Sequence, residues 1–180
     1  MNTERFLNNI TEQIKEAQLK LGFAKEVIRL YFPVASLNIL LDTECKNGKE
    51  MLTCLQQEPK LADSELGKLS FTLCKGERIE VCIPPDGAEY VHEQIADPPF
   101  LKNIVELFSQ NHHLTLEEIC ACFATYNKGY ACRKMEPGTD FDYVLYFPDK
   151  TPDEWYYCIR MEMGHTIYHR FIEEDYKQLL

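Results

Sequence analysis

No stretch of this chain approaches the roughly 20 consecutive apolar residues needed to cross a bilayer. Its longest apolar segment is interrupted by Arg29, Pro33, Ser36 and Asn38. Basic residues are also scarce, with 19 Lys and Arg against 29 Asp and Glu, a net charge of −10. Such a surface repels phosphate backbones and anionic lipid, so neither nucleic acid nor a membrane is an expected partner. The chain contains no G-x-G-x-x-G, no G-x-x-x-x-G-K-[ST] and no G-x-S-x-G. A familiar phosphate-cradling loop or nucleophile elbow is therefore unsupported. No C-x-x-C occurs, which removes the strongest zinc-ribbon signal. The first residues carry Glu4, Arg5, Glu12 and Lys15, so a secretory leader is not expected there. The expected setting is the cytoplasm.

Apolar residues make up 45% and aromatics 12% of the 180 residues, enough for a packed core. Residues 1–180 are read as one α+β domain. Eight cysteines invite a disulfide reading, but that needs an oxidising compartment and usually a smaller chain. Small buried hydrophobes are the expectation for most of them.

Hydrophobic period gives the elements. Phe6, Ile10, Ile14, Ala17 and Leu21 form one helix face, capped by Asn2 or Thr3 and ended near Gly22. Pro33 suits the start of a short buried helix, and Asn47 a cap for another carrying Met51, Leu52 and Leu55. The first 60 residues thus read as helical, with 8 basic and 8 acidic residues. Residues 69–83 read as a β-hairpin. A three-residue loop over Cys74, Lys75 and Gly76 pairs Phe71 with Ile79 and Leu69 with Val81. A two-residue loop would set Phe71 against Glu80.

Helices are expected over 99–110 and 116–126. Thr115 and Glu118 have capping-box spacing at the start of the second. Two aromatic strands follow, around Phe141 to Phe147 and Trp155 to Glu162, as an antiparallel pair. Ile167, Phe171, Ile172, Tyr176, Leu179 and Leu180 fit a C-terminal helix from about residue 166. The architecture expected is a helical N-terminal part, a hairpin, a partly winged-helix-like helix pair, an aromatic antiparallel sheet and a C-terminal helix.

The sharpest chemical candidate is Glu162 with His165 and His169. Two imidazoles four residues apart share a side of a helix or strand, and with a carboxylate they can bind zinc or iron. Asp140, Asp142 or Cys158 would serve as a third ligand. The pattern is not H-E-x-x-H, and the competing reading is a polar helix start. The adjacent His112 and His113 read as a solvated turn. Cys120 and Cys122 splay apart on a helix, and Asp140 with Asp142 reads as the solvent edge of a sheet. Cys158 with His165 lacks any local context for a lowered thiol pKa.

The runs RLYFP at 29–33, SLNILL at 36–41, DFDYVLYFP at 140–148 and YHRF at 168–171 resemble those of an uncharacterised bacterial domain family of unknown function. That resemblance covers most of the chain. It implies a bacterial cytosolic setting and one full-length domain, and brings no activity or catalytic residue.

The expected function is a non-enzymatic binding or interaction domain without a cofactor, its partner a protein or a second copy. Surplus aromatics such as Tyr143, Tyr146, Tyr156 and Tyr157 suit contact surfaces. The alternative is a metal-dependent hydrolase with His165 and His169 as ligands and Glu162 or Asp142 as third ligand or base, on a divalent ion. A winged-helix nucleic-acid binder stands third, because the second helix offers Glu117 and Glu118 where such a reader needs basic residues.

Overall fold

The computed structural model describes residues 1–180, which form eight helices and two antiparallel sheets, an α+β protein. They cluster into two compact units, Met1–Asp97 and Pro98–Leu180.

In the first unit, helix α1 (Thr3–Leu21) is capped by the Asn2 side chain and closed by Gly22 at φ 72°. It buries Phe6, Ile10 and Ile14 completely. The expectation of helix throughout the first 60 residues is corrected by strand β1 (Ile28–Pro33). Ile28 and Phe32 point inward while Arg29 and Tyr31 point out, the period of two that a half-buried strand requires. Pro33 ends the strand, and α2 (Val34–Leu41) follows directly. Asn47 caps α3 (Gly48–Gln56) through the Lys49 and Glu50 amides. The short α4 (Pro59–Ala62) leads into strands β2 (Ser70–Cys74) and β3 (Arg78–Ile83), and α5 (Pro85–Gln94) closes the unit. The sheet order is β1-β3-β2.

The β2–β3 register differs from both expected ones. Phe71 lies opposite Val81 and Leu73 opposite Ile79, so the loop is Lys75, Gly76 and Glu77. Both Gly76 (φ 75°) and Glu77 (φ 55°) are left-handed. Glu77 is held there from two sides: its carboxylate accepts the Gly48 amide at the start of α3, and its carbonyl accepts Val34 N–H at 3.3 Å. A slip of two from the expected register keeps every apolar side chain on the same face, so hydrophobic alternation cannot distinguish the two.

The second unit opens with α6 (Pro99–Gln110) and α7 (Leu116–Tyr126). The Thr115–Glu118 capping box is formed. Strands β4 (Ala131–Lys134), β5 (Tyr143–Tyr146), β6 (Tyr156–Glu162) and β7 (His165–Phe171) make a sheet in sequential order. The expected helix from residue 166 is thus a strand, and only α8 (Glu173–Lys177) is helical in the tail. Burial alternates along β7, with Thr166 and Tyr168 inward and His165, Ile167 and His169 outward. Thr166 locks the strand in place, its amide donating to His112 O at 2.8 Å and its hydroxyl to Leu114 O at 2.7 Å.

Helices α6 and α7 cover one face of this sheet. Phe100 meets Phe123, Phe147 and Tyr157 edge-on at 4.9, 5.0 and 5.5 Å, and Phe108 meets Tyr168 at 4.7 Å. The chain's own C-terminal segment covers part of the opposite face. There Tyr176 and Leu179 pack on the cluster of Met135, Val144, Tyr146 and Cys158. Tyr146, Tyr156 and Tyr176 stack in series at 4.5 and 4.7 Å. Of the four tyrosines expected as a contact surface, Tyr146 and Tyr157 are buried, and Tyr143 and Tyr156 are half-buried.

Candidate functional site

The C-terminal cover stops short of the β6–β7 turn. Glu162 pairs with His165 and Arg160 with Ile167 across the hairpin, and a two-residue turn, Met163 and Gly164, joins the strands. Both turn residues have positive φ, 51° and 78°, the left-handed pair of a type I′ turn. Asparagine followed by glycine is the preferred pair for that geometry. Here a methionine holds the first position and is 92% exposed. A residue with a Cβ in the left-handed region costs about 1 kcal/mol.

Beside the turn lies an open cleft of about 280 Å³ lined by Arg160, Glu162, Met163, His165 and Ile167. Arg160 and Glu162, both among its lining residues, form an ion pair. Ile167 is 46% exposed within it. The α6–α7 loop supports the turn from the side. His113 Nδ1 bonds the carbonyl of Gly164, and its ring lies 5.3 Å from that of His165. The carbonyl only accepts, so Nδ1 carries the hydrogen. His113 takes its own place from Asn111, whose side chain accepts the His113 amide at 2.9 Å.

The expected metal set does not converge. On a helix His165 and His169 would be neighbours, but on strand β7 four residues span about 13 Å. One ion with ligand bonds of about 2 Å cannot reach both. Glu162 stands opposite His165 and Cys158 opposite His169, so each histidine has a different neighbour. His169 faces Phe141 at 5.6 Å. Asp142 is engaged elsewhere, accepting the Met161 amide at 2.7 Å. No group of three or more His, Cys, Asp or Glu is placed to hold a metal.

The residue that does join His165 is His113, read from the sequence as part of a solvated turn; it lies 52 positions away, and only the packing of loop against hairpin unites them. Met163 was equally silent; the available signal was a methionine before glycine where a hairpin turn would prefer asparagine.

Other titratable groups are structural. Asp153 is buried beside Arg170 at 3.9 Å, and accepts from the Trp155 amide at 2.7 Å and the Tyr157 hydroxyl at 2.9 Å. Burial pushes its carboxyl above the usual range against the pull of Arg170. Arg170 lies 4.4 Å over the Trp155 ring. All eight cysteines are free thiols. Burial raises Cys158 to about 12, and burial with the nearby Cys120 raises Cys132 to about 11. Helix α7 carries no basic residue, as its sequence LEEICACFATY shows. A second open pocket, about 410 Å³, lies in the first unit between the start of α1 and Tyr90, whose hydroxyl donates to Glu65 at 2.6 Å.

No helix is long and apolar enough to cross a membrane. No curated protein and no solved structure matches the chain. A family model does match, over residues 3–180, described as a domain of unknown function from an E. rectale gene. The chain thus belongs to the bacterial domain-of-unknown-function family DUF3877.

Proposed function

We propose that this protein is a cytoplasmic, non-enzymatic interaction domain that presents the β6–β7 turn and its adjoining cleft to a protein partner. The observation that carries this reading is Met163: a large apolar side chain, 92% exposed, at a left-handed turn position. It is disfavoured there both by solvation and by backbone conformation, and the His113 bond to the Gly164 carbonyl fixes the turn while leaving the methionine side chain exposed. A departure from local preference is characteristic of functional positions. Methionine also suits the role, being flexible and polarizable and so able to fill an irregular apolar recess. The cleft, at about 280 Å³, falls below the usual range for a drug-sized ligand and matches a few side chains. A set of eight free thiols suits a reducing compartment.

A photo-crosslinking amino acid in place of Met163, in the full-length chain expressed in its own bacterium, tests the reading. Irradiation is expected to yield a covalent adduct to protein that is absent when the same group replaces the exposed Leu21. No adduct from position 163 would refute the interaction reading.

A further inference from the structure

We infer that the partner at this site is a second copy of the chain, related by a two-fold axis that seats Met163 of each copy in the cleft of the other. The inference rests on the interaction reading above and names its partner. Its basis is that knob and recess belong to one surface: Met163 is 92% exposed at the turn, and the open cleft it helps to line is completed by Arg160, Glu162, His165 and Ile167. A surface carrying both halves of a contact is self-complementary under a two-fold rotation, which closes the assembly at two copies.

Charge points the same way. Arg160 and Glu162 project from the same side of β6, two residues apart, and they have opposite sign. Rotation of a second copy by 180° reverses their order, so Arg160 meets Glu162 of the partner subunit at both ends of the contact. A partner carrying one sign of charge would meet a like charge at one end. The chain as a whole has a net charge of −10, so copies repel at long range. That repulsion is tolerable where the contact patch is itself neutral.

Charge reversal separates this inference from the general reading. Arg160→Glu makes the patch all acidic, and Glu162→Arg makes it all basic. Sedimentation velocity on the full-length protein at about 100 µM is expected to show wild-type dimers, with self-association weakened at least about tenfold in each single variant. An equimolar mixture of the two variants is expected to restore dimers, because an all-acidic patch then faces an all-basic one. The restoration also shows that both variants fold. A monomeric wild type, single variants that still dimerise, or a mixture that stays monomeric would each overturn the inference. The two readings fail differently. An adduct from position 163 to a different protein keeps the interaction domain and removes the second copy, whereas no adduct removes both.

Discussion

His113 and Gly164 join the α6–α7 loop to the tip of the β6–β7 hairpin through one hydrogen bond, from the imidazole Nδ1 to the glycine carbonyl. This makes a left-handed turn with an exposed methionine into a fixed feature of the surface. Replacing His113 by alanine is expected to cost about 1 kcal/mol of stability, the typical net worth of such a bond. The more specific expectation is local. Amide hydrogen exchange at residues 163–165 should accelerate while that of β5 is unchanged. Equal protection at the turn in both proteins would show that the histidine does not hold it.

The capping box at α7 yields a prediction with a defined sign in pH. Thr115 accepts the Glu118 amide at 3.2 Å, and Glu118 accepts the Thr115 amide at 2.8 Å. Thr115→Ala should destabilise the protein by about 1 kcal/mol. Hydrogen bonds from the Thr115 backbone and side chain hold the Glu118 carboxyl below its ordinary value. A carboxyl lowered in the folded state adds stability above its unfolded pKa, and that stability is lost as pH falls through the folded value. Melting temperatures between about pH 6 and 3 should therefore fall less steeply for Glu118→Gln than for the wild type. Parallel curves would contradict the assignment.

Cys158 should be chemically silent. It is fully buried under Tyr176 and Leu179, and burial raises its pKa to about 12. At about pH 8 only about one thiol in ten thousand is ionised at that pKa. Native alkylation with iodoacetamide, read by peptide mass spectrometry, should leave Cys158 unmodified while the denatured chain reacts there fully. Native labelling of Cys158 at the rate of the half-buried Cys74 would show that the C-terminal segment does not cover it.

The elements legible in the sequence are those with long, unambiguous periods and local caps. Helix α1 is announced by Phe6, Ile10 and Ile14, and α7 by Thr115 and Glu118. Strand β7 reads as helix in the sequence because Ile167 and Phe171 fit a helical period while Thr166 and Tyr168 fit a strand. Over seven residues those signals are equal, and pairing with β6 decides. Strand β1 is shorter still, at six residues, and owes its conformation to β3. His165 and His169 do share one side of β7, as the spacing of four implies for a strand as well as a helix, but the strand rise of about 3.3 Å per residue separates them along that side. The pairing of His113 with His165 is a property of tertiary structure, and no spacing rule spans the distance between them.

Met163 is where local preference and the observed residue disagree, and the whole functional account depends on it. Asparagine is the better residue for that left-handed position, so Met163→Asn should raise the melting temperature slightly and leave the hairpin intact. Sedimentation velocity on this variant is the most direct test. The account predicts a folded protein that no longer associates. A variant that associates as strongly as the wild type would contradict it, because the side chain assigned to the contact would then contribute nothing.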